Sequence, residues 1–165
     1  MSDSPIITAA QLDAAECEAV LRSLPRWFGI EEALLEYASK APAQSGFAVR
    51  DSMRMLGFLT LETMPEEPDA YEIYCLAMHA DYRQQGLGGR LLATAEHWLR
   101  AHGEHHLYVR TLAASHPSPE YAETRRFYER AGFAAVSVSL ETWGPKIPCL
   151  MMRKELRDEA DRVGP

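Results

Sequence analysis

The apolar positions change period several times along the chain. Leu12, Ala15, Ala19 and Val20 recur at helical spacing, Asp13 stands in or before the first turn, and the pattern stops near Leu24-Pro25. A second helical stretch covers 31–39, with Ala33, Leu34 and Tyr37 on one side, and the loop between the two carries Trp27 and Phe28. The period then shortens. Phe47-Ala48-Val49, Met55 to Thr63 and Tyr71 to Met78 predict successive strands, separated by an Asp51-Ser52 turn and by a proline- and acid-rich loop over 64–69. The run from Tyr71 is almost continuously apolar, as in a strand at the centre of a sheet. From Gly86 to His102 the helical period returns in Leu87, Leu91, Ala95 and Leu99, and Gly103 is placed to close that helix in a left-handed conformation. A strand over 106–111, a loop over 112–120, a short helix over 122–131 ended by Gly132, and strands over 133–138 and 147–152 follow.

This order of elements predicts an α/β fold: a mixed sheet of about six to seven strands with helices on both faces. No repeat or low-complexity linker divides residues 1–156, which read as a single domain, and 157–165 read as a charged C-terminal tail.

Composition removes several function classes. The chain has 165 residues and a formal net charge of −7, so it lacks the basic excess that displaces counterions from nucleic acid. Cys17, Cys75 and Cys149 lie far apart without CxxC spacing and read as reduced thiols. Met1 to Pro5 holds neither the basic nor the apolar part of a signal peptide, and no apolar run approaches the roughly 18 residues of a membrane span. The expectation is a cytoplasmic protein, monomer or homodimer, with no nucleic-acid or membrane partner. His102, His105 and His106 crowd one turn, but no carboxylate or cysteine completes a recognisable ligand set, so no metal is expected.

The segment 71–92 carries the chemistry. A strand feeds a loop with Gly86, Gly88 and Gly89, and the loop opens directly into a helix. The first N–H groups of such a helix are unpaired and lie at the positive end of its dipole, so they can hold an anion. Arg83 and Arg90 flank the loop. A dinucleotide loop needs a third glycine where Leu91 stands, and a Walker loop needs Gly-Lys-Ser/Thr where Gly89-Arg90-Leu91 stands. A tight strand-to-helix turn without a ligand stays open on spacing alone. Strict alternation along the preceding strand puts Glu72, Tyr74, Leu76 and Met78 on one face and Ile73, Cys75 and Ala77 on the other.

Arg83-Gln84-Gln85-Gly86-Leu87-Gly88 resembles the (Gln/Arg)-x-x-Gly-x-(Gly/Ala) motif of the GNAT N-acetyltransferase superfamily. Arg126-Phe127-Tyr128-Glu129-Arg130-Ala131-Gly132-Phe133 resembles that family's second signature, and the similarity runs from about residue 6 to residue 156. The segments Leu24 to Gly29 and Trp143-Gly144-Pro145 are similar to a bacterial branch that implies no particular substrate. The resemblance implies a GNAT-like fold with splayed central strands and acetyl-CoA as co-substrate, without a metal. Its pyrophosphate would lie on Arg83, Gln84, Gln85, Gly86, Leu87, Gly88 and Gly89, and its pantetheine arm on the strand backbone around Leu76 and Met78. Many members carry a cofactor-contacting asparagine where this chain has Tyr121.

The implied reaction is direct attack by an amine of a small molecule or peptide. Tyr128 would be the acid that serves the departing thiolate, and Glu72 the general base, with Glu62 or water as alternatives. Trp27, Phe28, Trp143 and the acidic pair Glu66-Glu67 would line the acceptor side, since aromatics with acids suit a cation. A non-catalytic acyl-CoA sensor and a nucleotide-binding module are the competing functions.

Overall fold

A computed structural model describes residues 4–156, so the tail expected over 157–165 lies outside the described residues. One seven-stranded sheet has the order β1-β2-β3-β4-β5-β7-β6. The strands are β1 (Ile6–Ala9), β2 (Ser45–Arg50), β3 (Met55–Thr63), β4 (Ala70–Met78), β5 (His106–Leu112), β6 (Ala134–Ser139) and β7 (Cys149–Glu155). Only β4 and β5 pair in parallel; the other neighbours are antiparallel. The sheet is therefore mixed, as the order of elements predicts.

Helices cover both faces. α1 (Ala14–Arg22) and α2 (Glu31–Lys40) bury Cys17, Val20, Leu21, Leu34 and Ala38 against Phe58, Cys75 and Ala77. On the other face α3 (Leu87–Ala101) and the end of α4 (Pro119–Arg130) bury Leu91, Ala95, Leu99 and Tyr128 against Phe47, Leu59, Leu61 and Ile73. Asp13 is the N-cap of α1 and accepts the Glu16 N–H at 3.0 Å. Gly103 has φ +78°, the left-handed closure of α3 expected from the sequence.

Three elements differ most from the sequence expectation. β1 was not expected: Ile6-Ile7-Thr8-Ala9 is too short to display a period, and it forms because the edge of β2 offers backbone groups to pair with. α4 begins at Pro119, ahead of the expected 122, because Ser118 caps it and proline suits the first helical position. β7 runs over 149–155, later than the expected 147–152. Its polar end Arg153-Lys154-Glu155 pairs with β5, and Lys154 Nζ lies 2.9 Å from Glu96 Oε1 on α3.

The centre of the sheet holds the feature that matters for function. Thr60 pairs with Cys75 and Leu61 with Ile73, so Tyr74 is an extra residue, a β-bulge in β4. The bulge overturns the strict alternation expected along this strand. Tyr71, Ile73, Leu76 and Met78 pack on the α3 side, whereas Tyr74, Cys75 and Ala77 pack on the α1–α2 side. Glu72, between Tyr71 and Ile73, therefore faces the α1–α2 side, away from Leu76 and Met78. Beside the bulge the parallel pairing ends: β4 meets β5 only from Ala70↔His106 to Ile73↔Val109. β4 continues to Met78 along β3, and β5 continues to Leu112 along β7. The strands splay into a wedge.

Gly57 on β3 faces the far end of β4. A Cβ there would run into the Met78 sulfur and lie 2.8 Å from the Ala77 carbonyl oxygen. Gly57→Ala is expected to push β3 from β4 and cost about 1–3 kcal/mol. Urea unfolding checks this as a lower midpoint at an unchanged m-value.

Candidate active site

Beyond Met78 the chain turns through Ala80–Tyr82 and enters α3 at Gly86, whose φ of +78° no branched residue would adopt readily. No side chain caps this helix start, and a Cβ at Gly89 would meet nothing within 4 Å. The first turn of α3 thus presents bare N–H groups and a positive dipole end outward, which suits an anion. Backbone and side-chain bonds hold the turn in place. The His79 N–H donates to the Leu56 carbonyl at 2.7 Å, the Ala80 N–H to Ser23 Oγ at 3.0 Å, and Arg54 Nη2 to the Tyr82 hydroxyl at 3.0 Å.

The loop between α1 and α2 crosses this turn and is fastened to α4. Trp27 Nε1 donates to Thr124 Oγ1 at 3.2 Å and to the Glu120 carbonyl at 3.3 Å, and the Tyr121 hydroxyl donates to the Trp27 carbonyl at 3.0 Å. The Arg83 guanidinium lies 4.2 Å from the centroid of the Trp27 ring and 3.0 Å from Glu123 Oε1, and Gln84 Nε2 donates to that same oxygen at 3.2 Å. A pocket of about 390 Å³ lies between this strap and the turn, with Arg26, Arg83 and Gln84 in its walls. Trp27, expected on the acceptor side, thus stands over the glycine turn. Phe28 packs edge-on against Tyr37, with ring centroids 5.7 Å apart.

Tyr128 sits near the end of α4, 5% exposed, with its ring between Phe127 and Phe133 at centroid distances of 5.1 and 5.3 Å. Arg125 Nη1 donates to the Leu112 carbonyl at 2.6 Å and ties α4 to the end of β5. Burial pushes the Tyr128 phenol well above the ordinary tyrosine value, and the Cys75 thiol adds to the shift. Tyr37 and Tyr121 are likewise raised by burial first and the Cys75 thiol second, with Tyr74, Tyr121 and Glu36 adding at Tyr37, so three phenols gather around Cys75 where β4 leaves β5.

Glu72 stands at the closed end of the wedge, one residue before the last β4–β5 pair. Its side chain is 13% exposed, and Oε1 lies 3.3 Å from Arg110 Nε. Burial raises its pKa above the ordinary 4.5, Arg110 opposes that shift, and Glu62 and Glu66 reinforce it. Glu62 sits directly opposite Glu72 in the β3–β4 register and accepts a bond from Gln44 Nε2 at 2.8 Å. Arg110, Gln44 and Glu123 escape the sequence reading. Arg110 had a signal, a guanidinium in the middle of the run Leu107-Tyr108-Val109-Arg110-Thr111-Leu112; the other two had none.

The fold therefore brings the 83–89 turn, the Leu76–Met78 edge and Tyr128 to the wedge, with Glu72 at its closed end. Trp143 is 41% exposed on the loop 140–148, and no ring contact among the described residues joins it to Trp27 or Phe28. No group of three His, Cys, Asp or Glu among the described residues could hold a metal ion. No described helix is long and apolar enough to cross a membrane.

Residues 13–133 match the model of the acetyltransferase (GNAT) family. The chain belongs to that family. It is an acetyltransferase. The fold is shared with a Desulfovibrio desulfuricans protein assigned to the GNAT family, at 24% identity and TM-score 0.80 over 93% of this chain and 100% of that one. It is also shared with an aminoglycoside 6′-N-acetyltransferase solved with coenzyme A, at 18% identity and TM-score 0.70 over 93% and 98% of the two chains. The ribosomal-protein-S18-alanine N-acetyltransferase of Escherichia coli is similar at 20% identity and TM-score 0.69 over 93% and 96%. No curated protein sequence matches the chain.

Proposed function

We propose that the protein moves an acetyl group from acetyl-CoA to an amine of a small molecule or peptide, by direct attack inside the wedge. The observation that carries this reading is the end of β4–β5 pairing at Ile73↔Val109, followed on the same strand by the capless start of α3. One extended ligand suits both features. Its amides would bond the free edge of β4 around Leu76 and Met78 as an added strand, and its pyrophosphate would lie on the N–H groups of 86–89. Solved structures of similar fold include acetyltransferases for aminoglycosides and for a ribosomal protein's alanine, which supports an amine acceptor without selecting one.

In the reaction the amine nitrogen bonds to the thioester carbon and the carbon–sulfur bond breaks. The proton leaving nitrogen passes to Glu72, directly or through water, and then to solvent. A thiol has an ordinary pKa of about 8.5 and a phenol about 10, and burial raises Tyr128 further. Tyr128 consequently stays protonated at neutral pH. It acts on the sulfur by donating a hydrogen bond as negative charge develops, more than by surrendering its proton. A cysteine-bound intermediate has no support: all three cysteines are buried and burial raises each thiol, Cys17 to about 12.

Calorimetric titration with acetyl-CoA tests the donor site, with ATP and NAD as controls. Selective binding of acetyl-CoA is expected, and Glu123→Gln is expected to tighten it about two- to fivefold by releasing Arg83 and Gln84 to the phosphates. Loss of affinity in that variant would mean that Glu123 holds Arg83 ready for the ligand. Thiol release with an amine panel then reads which acceptors the protein turns over.

Tyr128→Phe should lower kcat about 10- to 100-fold with an unchanged Kd for acetyl-CoA, because the lost hydrogen bond forms chiefly in the transition state. An unchanged kcat removes Tyr128 from the mechanism. Glu72 accepts a proton only when ionised, and its pKa is raised. Activity should therefore climb with pH through a limb lying above 4.5, and Glu72→Gln should abolish that limb. An identical pH–rate profile assigns the base to Glu62 or water.

A further inference from the structure

We infer that the acceptor is a free α-amino acid, whose ammonium is held by Glu72 and Glu62 and whose carboxylate is held by Arg110. The inference rests on the acetyl-transfer reading of the same wedge and deepens it.

The placement of charge leads there. Glu62 and Glu72 are directly opposed across β3 and β4, an arrangement that costs stability when both are ionised and nothing positive lies between them. One guanidinium, that of Arg110, acts on Glu72 there against the two further carboxylates of Glu62 and Glu66, so the group as a whole carries negative charge. An ammonium group entering between the carboxylates would supply what the site lacks. Glu72 then meets the nitrogen that must lose a proton, so binding and general-base catalysis use one side chain.

Arg110 limits which ammonium fits. Its side chain is 37% exposed, and its one ion pair among the described residues is with Glu72, Nε to Oε1. Its two terminal nitrogens donate no hydrogen bond to described residues, which leaves them as a fork for a planar anion. Arg110 sits beyond the last paired residue Val109, where β5 has left β4, so the fork belongs to the wedge. A simple amine drawn to Glu72 would lie beside this cation with no partner for it, and a simple anion would face Glu72. A zwitterion with amine and carboxylate on one carbon satisfies both, closing an alternating square of charges with Glu72 and Arg110. A peptide N-terminus offers the ammonium without the carboxylate and satisfies only one.

The test uses the twenty α-amino acids, each with its carboxamide and its decarboxylated amine, as acceptors with acetyl-CoA and as ligands in calorimetry with and without coenzyme A. For at least one side chain, kcat/KM and affinity should be about 10- to 100-fold higher for the acid than for either analogue, the range for a hydrogen-bonded charge. Arg110→Gln should bring that ratio close to one, and Arg110→Lys, which keeps charge but loses the fork, should restore it in part. Equal or better use of the amines or amides by the wild type overturns the inference, as does an unchanged ratio in Arg110→Gln. Coenzyme A binding without binding of any amino acid overturns it too and leaves the donor site intact. Amino-acid binding without coenzyme A binding supports this inference and defeats the donor reading instead.

Discussion

Everything proposed for this protein depends on where backbone pairing stops. A parallel strand pair inside a sheet normally continues to the shorter strand's end, because each unpaired buried N–H or carbonyl costs free energy. Here β4 and β5 pair over four residues each, from Ala70↔His106 to Ile73↔Val109, and then part. The bulge at Tyr74 gives β4 the extra local twist that turns it away. Neighbours on the outer sides hold the two strands apart: β3 follows β4 to Met78, and β7 follows β5 to Leu112. The gap is thus a property of the whole sheet, and a ligand that brings its own amides can complete it.

The same geometry sets the chemistry of the side chains around it. Groups at the splay lie deep enough that burial raises their pKa values, yet next to the opening. For phenols this keeps the proton on oxygen, which suits hydrogen-bond donation to a departing thiolate. For Glu72 it brings the proton affinity closer to that of an amine-derived proton while Arg110 keeps the carboxylate from being neutralised outright. For the thiols it suppresses the nucleophilic form. One physical cause, removal of water, therefore favours direct transfer over a covalent relay.

Much of this was legible in the sequence because local rules dominated. The long helix showed its period in Leu87, Leu91, Ala95 and Leu99, and its start was marked by glycines that only a tight turn requires. The mixed α/β order and the splay expected from the family motifs appear in the fold. The bulge was not legible: nothing in Ile73-Tyr74-Cys75 distinguishes an inserted residue from a paired one, and the misassigned face of Glu72 followed from that alone. Ion pairs across elements were equally hidden, since Glu123 and Arg83, or Glu72 and Arg110, meet only after the helices and strands have folded. Trp27 was marked by its chemistry but not by its place, which depends on bonds to α4 far along the chain.

The strap over the glycine turn gives the charge arrangement its sense. Arg83 and Gln84 stand on the turn before the helix start, and both are engaged by the single carboxylate of Glu123. A partly exposed ion pair of this kind contributes little stability, so exchanging it for a phosphate is inexpensive. A phosphate offers the same kind of oxygen acceptors as Glu123 and, unlike it, can also accept from the N–H groups of α3. The side chains of the turn would therefore change partner without ever losing one, and the ring of Trp27 would keep the guanidinium in place during the exchange. Glu123 thus occupies the place of the anion while the anion is absent and competes with it on entry. At the other end of the wedge Arg110 and Glu72 perform the equivalent service for a zwitterion, each occupying the other's charge until a ligand bearing both signs arrives.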